Sequence, residues 1–266
     1  MKRIGIVGIG NMGEILLSGL KEAGHTLEVA EKKGERARLI RERYGVDVRE
    51  RAEEVAAKSE VIILAVKPKD VEGLFQEIKG VLPEGTIVVS ILAGIPISYL
   101  QRLAQGPVKC VRAMPNICMG VREGFIALAV GPSVEREEVE YVARLFRLFG
   151  KVIEVDEKDM DAITALSGSG PAFLLSFLEG MIEAGVKVGL ERHVSRSICL
   201  QVLKGTWKML EEGGAHPALL RESVTSPGGT TIWGLYELED RGLKATIMRA
   251  VEAARRRSME LAGQNG

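Results

Sequence analysis

Three glycines, Gly8, Gly10 and Gly13, follow the apolar run Ile4-Gly-Ile-Val7 and precede apolar residues at helical spacing through Ala23. That position points to a phosphate-binding turn between strand and helix, the alternative being a tight strand-helix turn with no ligand. Gly8 permits the tight turn, Gly10 lets a pyrophosphate approach the backbone, and Gly13 lets the helix sit close to the strand with its N-terminus facing the anion. Glu31 falls 18 positions after Gly13, at the end of the next apolar run. An acidic side chain there can bond both ribose hydroxyls and repel a 2′-phosphate, which points to NADH. Lys32, Lys33 and Arg36 follow at once, and cations there can hold the 2′-phosphate of NADPH. A charged, solvated helix start is a third reading of the same residues. The other chemically suggestive segment is Ser223-Val-Thr-Ser-Pro-Gly-Gly-Thr-Thr231. A proline-glycine turn exposes successive N–H groups, and the hydroxyls of Ser226, Thr230 and Thr231 flank a helix N-terminus, a set that can hold a carboxylate without arginine. Equally, Thr230 or Thr231 can serve as a plain N-cap.

General acids and nucleophiles are scarce. His25, His193 and His216 are the only histidines, placed in a turn, at a helix start and before Pro217, where surface or capping duty is the simpler reading. No H-x-x-x-H occurs on a helix, and no G-x-S-x-G elbow follows a strand. Ser167-Gly-Ser-Gly-Pro171 imitates the elbow loosely, but small residues for close helix packing account for it.

The elements that must position these residues change character along the chain. Apolar runs at residues 3–8, 26–30, 60–66, 86–91, 108–111, 125–130 and 152–155 alternate with helical patterns such as 11–23, 35–43 and 135–149. Such alternation predicts a mainly parallel sheet covered by helices. After Asp156 the β-branched runs stop, and helices are expected over 159–188, 194–212, 218–224 and 230–257 with a break near Gly242. The expected fold is α/β: a Rossmann-type dinucleotide-binding domain over residues 1–156 and an all-α domain over 157–266. The segment from Asp159 to Val188 is apolar on most of its faces, so two subunits are expected to pack these domains together.

Composition narrows the class. Thirty-six basic residues balance 36 acidic ones in 266, and 46% of the chain is hydrophobic, so a folded core is expected and a broad electrostatic footprint for nucleic acid or membrane is not. Cys110, Cys118 and Cys199 form no CxxC pair and leave an odd thiol, which argues against a zinc site and for a reducing, cytoplasmic setting. Lys2 and Arg3 ahead of an apolar run imitate a signal peptide, but Asn11 and Glu14 interrupt it. No run reaches about 18 uninterrupted apolar residues, so no membrane span is expected.

Taken together, Gly8-x-Gly-Asn-Met-Gly13, Ala65-Val-Lys-Pro68, Arg112-Ala-Met-Pro-Asn116, Asp161-Ala-Ile-Thr-Ala-Leu-Ser-Gly-Ser-Gly-Pro171 and Val224-Thr-Ser-Pro-Gly-Gly-Thr-Thr231 resemble the pyrroline-5-carboxylate reductase family over nearly the whole chain. The resemblance implies reduction of 1-pyrroline-5-carboxylate to L-proline with NADPH or NADH, the last step of proline biosynthesis. It implies that Val7, Gly8, Ile9, Gly10, Asn11 and Met12 surround the pyrophosphate. Ala65, Val66, Lys67 and Pro68, with Ala93 and Gly94, would line the cofactor cleft, Asn116 would face the nicotinamide, and Ser223 matches a cofactor contact often filled by asparagine. Ser226, Gly229, Thr230 and Thr231 would bind the substrate carboxylate and ring, Thr231 positioning the ring nitrogen, and Glu157 matches a position near proline. The family's assemblies are interlocked homodimers, often five in a ring, the helical domain serving for substrate binding and dimerisation. Ile117 and Cys118 depart from the threonine and proline common after the asparagine, and Ala52 and Gly214 from polar residues.

Three other functions fit parts of the pattern. A β-hydroxyacid dehydrogenase also joins a dinucleotide domain to a helical one, but it needs a lysine about one helical turn after its glycine-rich motif, and none follows Pro171 before Lys187. A reductase of a related cyclic imine would share the site. A nucleotide-binding protein without turnover would keep the fold, though the retained serine and threonines speak for catalysis.

Overall fold

The computed structural model describes residues 2–105, 108–214 and 216–263. It divides into two compact units, Met1–Ser169 with Ala253–Gly266, and Gly170–Glu252. The first holds one eight-stranded sheet in the order β3-β2-β1-β4-β5-β6-β7-β8. Its strands are β1 (Ile4–Val7), β2 (Leu27–Ala30), β3 (Val48–Arg49), β4 (Val61–Leu64), β5 (Ile87–Ser90), β6 (Lys109–Met114), β7 (Gly124–Val130) and β8 (Gly150–Glu154). All neighbours run parallel except β6 and β7. β1 and β4 are buried along their whole length, which is why they read as unbroken apolar runs. Strand order reverses between β1 and β4, and the C-terminal ends of those strands form the crevice where such folds take ligands.

The helices of this unit are α1 (Asn11–Glu22), α2 (Gly34–Tyr44), α3 (Ala52–Ala56), α4 (Val71–Ile78), α5 (Ile97–Ala104), α6 (Arg136–Arg147) and the short α7 (Met160–Ile163). In α1 the buried residues are Gly13, Leu16, Leu17 and Leu20, one helical stripe against the sheet. The sequence pattern did not mark β3, α3, α4 or α5, all of them short. The helix expected from Asp159 is interrupted by a π turn at Thr164–Gly168, where the Ser-Gly-Ser-Gly motif begins. β-structure ends at Glu154, as the composition shift anticipates, but the first compact unit continues to Ser169 and resumes at Ala253.

The second unit contains α8 (Gly170–Lys187), α9 (Arg192–Gly213), α10 (Pro217–Ser223), α11 (Thr230–Asp240) and the first part of α12 (Leu243–Gly263). α8 and α9 meet at Gly185, where a Cβ would stand 2.1 Å from the Ser195 hydroxyl. That hydroxyl donates to the Ile182 carbonyl. None of the 18 residues of α8 is buried, and Leu174, Leu175, Phe177, Trp207 and Trp233 are exposed. So much uncovered apolar surface is the mark of an interface. By length and composition Glu157–Lys187 also reaches what a membrane crossing needs, which counting uninterrupted apolar residues did not anticipate.

Candidate active site

A cleft of about 700 Å³ opens over the C-terminal ends of β1, β2 and β4. Val7, Gly8, Ile9, Gly10, Asn11, Glu31, Lys32, Lys33, Ala65, Val66 and Lys67 line it, joined by Arg36, Glu50, Ala52 and Lys69. The three glycines have distinct physical reasons. Gly8 holds φ at +89°, a left-handed conformation that penalises any side chain. A Cβ at Gly13 would lie 2.1 Å from the Gly8 carbonyl oxygen, so α1 can approach the turn only with glycine there. At Gly10 a Cβ would meet nothing within 4 Å, so the backbone faces open space. Gly10 is also the N-cap of α1, with no side-chain cap. A turn that presents bare backbone at a helix N-terminus, in a cleft of this size, fits the pyrophosphate of a dinucleotide.

Met12, Gly13, Pro68, Ala93, Gly94 and Asn116 lie outside the lining of this cleft. Met12 packs on the core, and Gly13 acts through its contact with Gly8. Asn116 is buried, and its amide is used on both sides: Nδ2 donates to the carbonyl and hydroxyl oxygens of Ser167 at 3.3 and 3.2 Å, and Oδ1 accepts from Phe125 N–H at 3.2 Å. Asn116 thus joins the β6–β7 connection to the π turn.

Glu157 is engaged too. Its Oε1 accepts from the backbone N–H of Ile97, the first residue of α5, at 2.7 Å, and lies 3.5 Å from Nη1 of Arg112. Sequence reasoning missed Arg112 as a buried charge; the available signal was an arginine inside the otherwise apolar Cys110-Val-Arg-Ala-Met114. Only 4% of that side chain is exposed, and among the described residues its Nε and Nη2 have no hydrogen-bond partner.

In the second unit, Ser226-Pro-Gly-Gly turns into α11, with Gly228 at φ +67° and Gly229 as N-cap. Neither threonine caps the helix. Among the described residues the hydroxyls of Ser226, Thr230 and Thr231 have no hydrogen-bond partner, and a Cβ at Gly229 would stand 2.3 Å from the Ser226 hydroxyl. Three free hydroxyls at an open helix N-terminus are donors of the kind that can hold a carboxylate. Ser223 donates its hydroxyl to Leu220 at 2.8 Å, closing α10. His216 caps α10 through Nδ1, and His193 lies 3.2 Å from Glu191 on the surface, as the sequence implied.

Comparison with known proteins covers both units. Residues 157–261 match the family model described as pyrroline-5-carboxylate reductase dimerisation, and residues 3–94 that of NADP oxidoreductase, coenzyme F420-dependent. The pyrroline-5-carboxylate reductase of Arabidopsis thaliana is 38% identical, covering 97% of this chain and 95% of its own. That of Corynebacterium melassecola is 38% identical over 98% and 99%. The crystal structure of Plasmodium falciparum pyrroline carboxylate reductase with NADP bound superposes with a TM-score of 0.90 at 33% identity, covering 98% of each chain. A likeness of this extent, in sequence and in fold, leaves one conclusion: the chain belongs to the pyrroline-5-carboxylate reductase family.

Proposed function

We infer that this chain reduces 1-pyrroline-5-carboxylate to L-proline with NADPH or NADH, as an oxidoreductase acting on a C–N bond. The observation that carries the reading is the bare-backbone turn at Gly8–Gly13, open onto a cleft of dinucleotide size, in a chain alike from end to end to reductases of that name. When bound, the reduced nicotinamide supplies the hydride. The residues we assign to the cofactor are Val7 to Gly13, Glu31 to Lys33, Ala65 to Pro68, Ala93, Gly94, Asn116 and Ser223. Asn116 and Ser223 would act through their hold on backbone and neighbouring hydroxyls, since their own polar atoms are engaged.

A cyclic imine protonated on nitrogen is already electrophilic, so the protein has to align more than to activate. The turn from Ser226 to Gly229 and the first residues of α11 hold the carboxylate with N–H groups and hydroxyls. Thr231 then positions the ring nitrogen. Glu157 is assigned to the substrate by the family resemblance, and its carboxylate accepts from Ile97 N–H. A chain with only three histidines and three cysteines is consistent with a reaction that asks for no strong general acid.

The helical half, residues 157–266, builds a homodimer that covers the apolar faces of α8 and α11, and the family's ring of five dimers is our expectation for the full assembly. Light scattering distinguishes two chains of 28.9 kDa from ten. Three free cysteines and a balanced charge support a cytoplasmic enzyme.

Purified protein mixed with 1-pyrroline-5-carboxylate is expected to consume reduced nicotinamide and to yield proline in equal amount. No consumption with either cofactor, from a folded dimer, would overturn the reading. Gly13→Ala is expected to weaken dinucleotide binding by about tenfold, because the methyl group must push α1 off the Gly8 carbonyl. Calorimetric titration checks this, and an unchanged affinity would show that α1 moves freely.

A further inference from the structure

The adenosine end of the cleft carries charged groups whose partners decide which dinucleotide fits, an inference that rests on the nucleotide-binding reading above. Glu31 follows β2 and has both carboxylate oxygens held by backbone: Oε2 accepts from Ile9 N–H at 2.8 Å and Oε1 from Lys33 N–H at 2.9 Å. Its charge is therefore fixed in the cleft wall beside the phosphate turn. Glu50, which follows β3, lines the same end.

Of the cations lining the cleft, Lys32 and Arg36 are committed elsewhere, whereas Lys33, Lys67 and Lys69 have no ion-pair partner among the described residues. Arg36 donates through Nε to the Ile9 carbonyl at 2.8 Å, and its Nη2 bonds to Glu14. Glu14 is a strong anchor. Burial alone would raise its carboxyl, but hydrogen bonds from Arg43, Tyr44 and Arg36 outweigh that and hold it below the ordinary value. Lys32 pairs with Glu77 at 3.3 Å, and Glu77 in turn accepts from Ala52 N–H at 2.6 Å. Of the three cations at the start of α2, Lys33 alone has no ion-pair partner among the described residues.

Glu31 and Arg36 thus grip the two sides of Ile9 in the phosphate turn, one through its N–H and the other through its carbonyl. We propose that this enzyme is selective for NADH, that the fixed Glu31 carboxylate is the selecting group, and that Arg36 holds the phosphate turn instead of binding a 2′-phosphate. Each oxygen keeps a lone pair beyond its backbone bond, so this carboxylate can accept from free 2′ and 3′ hydroxyls and would repel a phosphate in the same place.

The test is isothermal titration of the full-length protein with NADH and with NADPH, without substrate. The native protein is expected to bind NADH at least about tenfold more tightly, since a like charge is set against the 2′-phosphate. Glu31→Gln keeps an oxygen for Ile9 N–H and removes the charge, so the preference is expected to shrink to near parity or reverse. Arg36→Gln is expected to weaken both dinucleotides alike and leave their ratio unchanged, whereas a phosphate-binding arginine would cost NADPH alone. Equal or tighter NADPH binding by the native protein overturns the selectivity but leaves the nucleotide site standing. Loss of NADPH binding alone in Arg36→Gln overturns the role given to Arg36. Binding of neither dinucleotide by the native protein overturns both this proposal and the function on which it rests.

Discussion

Thr231→Ala is expected to lower kcat by about 100-fold, a loss of roughly 2.7 kcal/mol of transition-state stabilisation, while leaving the melting temperature nearly unchanged. The hydroxyl makes no hydrogen bond within the described residues, and Gly229, not a threonine, caps α11. Its removal therefore leaves no partner stranded, and alanine suits the first turn of a helix as well as threonine does. A residue that costs nothing to fold without and sits beside two other free hydroxyls is placed for a ligand. Thr231→Ser should restore most of the activity, because it returns the hydroxyl without the methyl group. Steady-state kinetics with the pyrroline substrate and a thermal melt of each variant decide it. Unchanged turnover in Thr231→Ala removes the threonine from the mechanism, and a melting temperature lowered by many degrees would make its role structural.

The contrast between Thr231 and Glu31 shows what sequence could and could not disclose. Spacing along one turn is a local property: Gly8 and Gly13 each meet a constraint set within a few residues and Gly10 leaves bare backbone between them, so their types and intervals reveal the turn directly. The partners of Glu31 and Arg36 depend on how β2 and α2 lie beside that turn, so the sequence leaves both candidate cofactors open. The same limit hid β3, a two-residue strand, and α3 to α5, short helices whose buried faces span only three or four positions. The antiparallel turn from β6 to β7 was equally silent, since a buried strand is apolar in either direction. The change to helices after Asp156 was legible because β-branched runs simply end. That the compact unit runs on to Ser169 was not, because it depends on tertiary ties such as Asn116 with Ser167 and Ser258 with Asp161.

Glu157→Ala is expected to destabilise the fold by about 3 kcal/mol, because it breaks a pair around a buried charge. The carboxylate answers two needs at once. It accepts from the backbone N–H of the first residue of α5, where the helix dipole favours a negative charge, and it stands 3.5 Å from a guanidinium that is 4% exposed. Without it Arg112 would keep its charge inside the protein with none of its nitrogens matched. Removing the arginine has the opposite logic. Arg112→Met takes away the buried charge and its desolvation cost, and Glu157, about one-third exposed, can turn to water, so that change should cost less than about 1 kcal/mol. The double variant should then be more stable than Glu157→Ala alone, a coupling that urea unfolding at one fixed protein concentration would measure. Glu157→Gln separates this structural duty from direct contact with substrate. The amide still accepts from Ile97, so a fall in stability with KM for the imine unchanged supports the Arg112 pairing. A raised KM with native stability would instead place Glu157 against the substrate, as family resemblance alone implies.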